Sequence, residues 1–247
     1  MANSASQDTI ALISGANQGI GLATATRLAK EHGYHIVIGS RDASAGAHVA
    51  SSFQESGYKA SSIQLDLNSQ DSIDAAAKVI EEKFGRLDVL INNAGILIDG
   101  VIPGQSTRDL FTQTFNTNVI GTACLTEALL PLLRKSPLPR IVFVSSRMGS
   151  LSEATNKGMP FYHSDFKAYD ASKAAVNMLA LNYARILDPV AGKINVVCPG
   201  LVNTRLSFNN PEGVRPEIGA QRIVELAVFG EEGATATFSD RDGEIPW

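Results

Sequence analysis

The feature that most constrains this chain is a regular alternation of short, β-rich apolar runs with long helical stretches. Runs at 9–14 (TIALIS), 35–39 (HIVIG), 60–65, 87–91 (LDVLI), 140–145 (RIVFVS), 193–197 and 234–238 predict strands. Segments 20–32, 43–55, 69–84, 167–187, 217–229 and part of 107–133 predict helices. In the third of these, Ile73, Ala76, Ala77 and Ile80 fall on one helical face. Strands separated by helical crossovers run parallel. Strands that are apolar along their whole length are covered on both faces. The expected class is therefore α/β, a three-layer αβα sandwich around a mostly parallel seven-stranded sheet. A length of 247 residues fits one large domain of this kind, with no internal linker or repeat. Two stretches break the alternation, 151–166 (LSEATNKGMPFYHSDF) and 207–216 (SFNNPEGVRP). Both are polar and carry Gly and Pro, and they read as loops at the sheet edge, where binding sites collect.

The first strand runs into Ser14, Gly15, Ala16, Asn17, Gln18, Gly19, Ile20 and Gly21, which open a helix. Gly15 permits a tight turn. Gly19 and Gly21 let backbone amides and the helix N-terminus approach a pyrophosphate, which the helix dipole stabilises. The second strand ends in Ser40, Arg41 and Asp42, where such a fold meets the adenosine ribose. An acidic residue at the strand end accepts from a 2′-hydroxyl and repels a 2′-phosphate. Here small Ser40 and cationic Arg41 take that place, and a guanidinium grips phosphate with two hydrogen bonds. The cofactor expected is NADP(H). A competing assignment makes Asp42 the ribose acid and leaves Arg41 a solvated charge, but Asp42 is also placed to cap the next helix.

Tyr169 and Lys173 stand at i and i+4, on one helical face and one turn apart. An ammonium beside a phenol is expected to favour the phenolate, preparing Tyr169 as general acid in reduction and as base in the reverse. The fifth strand ends in Ser145, Ser146, Arg147, Met148 and Gly149, whose serine hydroxyls are candidates to bond a substrate oxygen. The fourth ends in Asn92, Asn93, Ala94 and Gly95, a second close-approach turn. Asn118 lies in the following helix, where a buried amide needs partners and is a candidate to hold a water that relays protons to Lys173.

Taken in order, SGANQGIG, LDLN at 65–68, NNAG, the Asn118 segment, SSRMG, YDASK and CPGLVNT resemble the classical short-chain dehydrogenase/reductase family over nearly the whole chain. Within it the chain looks most like carbonyl reductases, and its closing segment resembles fungal members. The resemblance implies a single-domain Rossmann-like fold over 1–247, with a substrate-side insert at about 151–166. It implies a tetrad of Asn118, Ser146, Tyr169 and Lys173, with Ser146 preferred to Ser145 because the following residues match the family's serine context. It implies that Asp66 and Leu67 bracket the adenine, that Asn92, Ala94 and Gly95 line the cofactor, and that Pro199, Gly200, Val202 and Thr204 contact the nicotinamide end. Twenty-two residues separate Ser146 from Tyr169, more than the family's common spacing. The surplus, with Met159, Phe161, Tyr162 and His163, reads as a lid or substrate wall. An insert there can block the usual tetramer-forming helix pairing in that family, which leaves monomer and homo-oligomer both open.

The function expected is NADPH-dependent reduction of a ketone or aldehyde. The alternatives are an NAD-dependent alcohol dehydrogenase and a non-redox member using the fold for cyclisation or binding. A net charge of -4 with no basic block disfavours nucleic acid as a partner. The four histidines, at 32, 35, 48 and 163, are scattered without a metal-binding spacing, and no metal is expected. Cys124 and Cys198 sit in apolar stretches and read as buried hydrophobes rather than a disulfide framework. The polar start MANSASQDT and the lack of a long apolar run lead to an expected cytoplasmic location, no membrane partner and a small-molecule substrate.

Overall fold

Apolar strands that must be covered on both faces need helices in two layers, and the computed structural model has that arrangement. It describes residues 8–247; most of the polar start used above, residues 1–7, lies outside the described residues. The parallel strands are β1 (Ile10–Ser14), β2 (His35–Ser40), β3 (Ala60–Gln64), β4 (Val89–Asn92), β5 (Arg140–Val144), β6 (Lys193–Val197) and β7 (Phe238–Asp240). A short β8 (Gly243–Glu244) pairs antiparallel with β7. The order across the sheet is β3-β2-β1-β4-β5-β6-β7-β8. Order reverses between β1 and β4, and the crevice at their C-terminal ends is the switch point where such sheets bind ligands. The fold is Rossmann-like, as expected.

Alternation along β1 shows why two layers are needed. Leu12 packs into one core with Ile73, Ile80, Leu129 and Phe143. Its neighbours Ala11 and Ile13 pack into the other with Leu28, Ile36 and Ile223. Each fully buried Leu or Ile stabilises by roughly 1.5–3 kcal/mol relative to exposure. The helices are α1 (Gly19–His32), α2 (Ala43–Glu55), α3 (Gln70–Phe84), α4 (Thr107–Phe115), α5 (Thr122–Leu133), α6 (Lys167–Leu187), α7 (Pro216–Gly219) and α8 (Gln221–Ala227). Their limits follow local chemistry. Asp42, Ser69 and Ser106 accept from backbone N–H groups at the starts of α2, α3 and α4. Gly33 and Gly85 end α1 and α3 in the left-handed conformation.

The structure departs from expectation in three places. The 107–133 stretch is interrupted by a π-helical turn, Asn116–Gly121, which links α4 to α5. The segment expected as one helix over 217–229 is split into α7 and α8, and Gly219 there packs against Val202. The last parallel strand begins only at Phe238 and returns through β8, so among the described residues the sheet has eight strands rather than seven. The 151–166 insert contains a single 3₁₀ turn, Glu153–Thr155. Its base is held by hydrogen bonds from the Ser152 N–H and hydroxyl to the Trp247 carbonyl. No helix among the described residues is long and apolar enough to cross a membrane.

Candidate functional site

At the switch point, Gly15 (φ +66°) and Gly19 (φ +56°) occupy the left-handed region. A Cβ on Gly21 would lie 2.5 Å from the Gly15 carbonyl oxygen, so only glycine lets α1 start this close to the turn. The N-cap residue Gln18 makes no side-chain capping bond to α1, and no acidic residue stands in its first turn. Its leading N–H groups and positive dipole end are thus free for an anion. The residues present fit a dinucleotide pyrophosphate on this observation.

A cleft of about 570 Å³ runs from this turn along the strand ends. Of the expected cofactor residues, Gly15, Asn17, Gln18, Gly19, Ile20, Arg41, Asp66, Leu67, Ala94, Gly95, Tyr169, Lys173, Pro199 and Thr204 line it. Gly21 lies beneath the turn. Ser40 is buried and donates its hydroxyl to the Asp42 carbonyl, so Arg41 faces the cleft and Ser40 does not. Asp42 accepts from the Ala45 N–H at 3.0 Å and caps α2, away from the cleft lining. Asn92 is turned inward, donating to the Thr126 hydroxyl at 3.0 Å. Asn93 lines the cleft in its place and donates to the carbonyls of Ser14 and Gly15. The Ser14 hydroxyl accepts from the N–H groups of Asn93 and Ala94, tying the two strand ends together. Gly200 and Val202 face a second cavity instead.

That second cavity, of about 340 Å³, adjoins the cleft. Tyr169, Ser145, Ile20, Pro199 and Thr204 line both. Tyr169 and Lys173 project from the first turns of α6 and are buried, at 7% and 5% exposure. The Lys173 ammonium stands 5.4 Å from the centre of the Tyr169 ring and donates to the Val144 carbonyl at 2.9 Å. Burial pushes the Lys173 pKa down to about 8. Burial also pushes the Tyr169 phenol up, with the Cys198 thiol and Asp170 adding to the rise. The expected lowering of the phenol by its lysine is therefore overruled by desolvation. The ammonium sits over the ring and spends a hydrogen bond on a backbone carbonyl.

Both serines at the end of β5 reach the second cavity, but in different states. The Ser145 hydroxyl is buried and committed to Asn177 Oδ1 at 2.6 Å. Ser146 Oγ accepts from the Met148 N–H at 3.2 Å, which leaves its proton available. Asn177 also donates to the Gly149 carbonyl at 3.1 Å, so it fastens the Ser145–Gly149 turn onto α6. A Cβ on Gly149 would lie 2.7 Å from the Lys173 carbonyl carbon, which shows how close the turn and helix come.

Asn118 sits in the π-helical turn. Its Oδ1 accepts from the Ile96 N–H at 2.8 Å, and its Nδ2 donates to the Ile96 carbonyl and to Ser172 Oγ. The amide is thus engaged by protein groups and clamps the chain after Gly95. A Cβ on Gly95 would meet Asn118 Oδ1 at 3.3 Å and Lys173 Nζ at 3.6 Å, which puts these residues around one point. Asn93, Ser14 and Asn177 are site residues that the motif reading missed. Asn93 had a signal in its adjacency to Asn92, whereas Asn177, one turn after Lys173 on α6, carried none without the β5 contact.

The family model described as short chain dehydrogenase matches residues 9–214. The short-chain dehydrogenase/reductase eupG of a Phoma species is 34% identical over 249 residues, covering 93% of this chain and 90% of that protein. The short-chain dehydrogenase anuI of Penicillium roqueforti is 36% identical over 227 residues, covering 90% and 89%. A short-chain dehydrogenase from Shigella flexneri, solved in complex with NADP, superposes with TM-score 0.81 at 27% identity, covering 95% of this chain and 97% of that one. The NADPH-bound carbonyl reductase from chicken fatty liver shares the fold, with TM-score 0.83 at 24% identity, covering 98% and 100%. On these matches and this fold, the chain belongs to the short-chain dehydrogenase/reductase family of oxidoreductases.

Proposed function

We propose that this protein is an NADPH-dependent reductase that converts a ketone or aldehyde to an alcohol within one domain. The observation that carries the reading is the position of Tyr169, whose side chain lines both the nucleotide cleft and the separate second cavity. A proton donor at that junction can serve a carbonyl held in one cavity beside a cofactor held in the other. The uncapped start of α1 supports dinucleotide binding. Arg41 in the cleft lining, with Asp42 committed to α2, supports the 2′-phosphate form.

In this reading a reduced nicotinamide supplies the hydride. Ser146 donates a hydrogen bond to the substrate oxygen and orients it. Tyr169 gives its phenolic proton to the oxygen as negative charge develops there. A phenol raised by burial is protonated at neutral pH, the form a general acid needs. Lys173, with its pKa near 8, holds positive charge beside Tyr169 and steadies the phenolate left behind. Asn118 acts as a positioning residue, fixing Ile96 and Ser172 around Lys173. Cys198 is buried as expected, whereas Cys124 is only partly so, and both are free thiols.

The test is Tyr169→Phe, which keeps the ring and removes the proton. NADPH binding should survive, while NADPH consumption with a carbonyl substrate falls by about 100-fold or more, within the range general acid catalysis supplies. Turnover within a few-fold of the native enzyme would refute Tyr169 as the acid.

A further inference from the structure

Two phenylalanines occupy backbone conformations that bulky residues seldom adopt. Phe161, in the insert, has φ +67°, and Phe208, in the loop after β6, has φ +56°. Both rings are substantially exposed, at 41% and 56%. Neither cost, backbone strain or exposed aromatic surface, is offset by a core contact that would explain it. Both residues nevertheless line the same second cavity, from two different loops. Strain of this kind collects at ligand clamps, and exposed apolar surface around a cavity marks a binding site.

The loops that carry them are built to hold them. The Ser207 hydroxyl bonds the carbonyls of Val202 and Thr204 and accepts from the Thr204 N–H. The Asn209 N–H returns to the Thr204 carbonyl, closing a tight turn around Phe208. Phe161 rests against Phe166, with ring centres 6.4 Å apart. Between the two loops, Leu97, Met148, Met159 and Leu206 make the walls apolar. The lining holds one cation and one anion, Arg147 and Asp240, and these are paired with each other at 2.6 Å. Arg147 also faces Glu153 at 3.5 Å. No unpaired charge in the lining is left to balance a charge on a ligand, and burying an unbalanced one there is costly.

We infer that Phe161 and Phe208 are specificity-determining jaws, and that the second cavity takes a bulky, uncharged, largely hydrocarbon ketone in preference to a small or anionic one. This rests on the reductase reading for the word substrate, but the ligand class stands on the cavity itself. Its volume, about 340 Å³, falls in the range of small-molecule pockets, and only a ligand that reaches both loops touches both rings.

The experiment uses the full chain loaded with NADPH and three probes: 2-decalone, butanone, and a keto acid of decalone size. Binding is measured by calorimetry and turnover by NADPH consumption, for the native protein, Phe161→Gly and Phe208→Gly. Glycine removes the ring and the backbone strain together, so thermal stability should hold or rise. The expected result is a kcat/KM for decalone at least tenfold above that for the keto acid and for butanone. The ratio of decalone to butanone should fall about tenfold in each variant. Preference for the keto acid or butanone, or an unchanged ratio in both variants, overturns the jaws and leaves the reductase standing. A variant that loses stability shows the ring to be structural, and also overturns them. Decalone binding that weakens in the variants without any turnover upholds the ligand class and sinks the reductase reading instead. Neither binding nor turnover of decalone overturns both.

Discussion

Lys173→Met should make the protein inactive and, near neutral pH, more stable. Lys173 is 5% exposed, and its pKa falls from 10.5 to about 8 on burial. The unfolded chain therefore binds more protons than the folded one between about pH 8 and 10.5, so this group adds stability as pH rises through that window. Below pH 8 the full penalty is present, and 2.5 units at 1.36 kcal/mol each gives about 3 kcal/mol. Methionine fills the same unbranched space without a charge. Its losses are the charge-assisted bond to the Val144 carbonyl and the contact with the Tyr169 ring, together about 1.5 kcal/mol. The net gain is about 2 kcal/mol at pH 7, or roughly 4–8 °C in Tm for a chain of this size. Thermal unfolding of native and variant protein at pH 6.5, 8.5 and 10 measures it. The difference should be largest at pH 6.5 and should shrink towards pH 10. A variant less stable at pH 6.5, or a difference independent of pH, would show that burying the Lys173 charge does not destabilise the fold.

Arg41→Ala should weaken NADPH by about tenfold or more, the worth of a charge-assisted phosphate contact, and change NADH little. Equal losses for both, in equilibrium titrations, would remove Arg41 from the phosphate site. Asn177→Leu deletes the bonds to Ser145 and Gly149, leaving a buried carbonyl without its partner and the serine turn unfastened. A cost of about 1–3 kcal/mol is expected, seen as a Tm lower by several degrees, together with a reduced kcat; a native Tm would show that α6 packing alone holds the turn.

How far the sequence was legible depended on what each reading required. Strands β1, β2 and β4 to β6 stood out because burial on both faces makes them nearly continuous apolar runs, whereas β3 (ASSIQ), at the sheet edge, is polar in its middle; α6 matched its predicted limits. Side-chain parity at strand ends was harder. Asn92 ends β4 and faces Thr126, whereas Asn93, one residue on, turns to the cleft, and a one-residue difference reverses the face. The same parity buried Ser40 and exposed Arg41. The π-helical turn was hidden because a one-residue expansion barely disturbs helical periodicity. Asn116, Thr117 and Asn118 before Gly121, all weak helix formers, are its trace in the sequence. The pair Tyr169 and Lys173 was found by spacing, but the direction of the tyrosine shift was not, since it depends on burial that spacing does not report.

Hydride transfer from NADPH to a carbonyl leaves a mark that an isotope label reads. NADPH deuterated at the transferable ring position is supplied with a bulky ketone, and the product is examined by mass spectrometry. The native protein should form an alcohol with one deuterium on the former carbonyl carbon, and Tyr169→Phe should not. An alcohol without deuterium, or no alcohol from any carbonyl tried while NADPH binds normally, would contradict hydride transfer to a carbonyl.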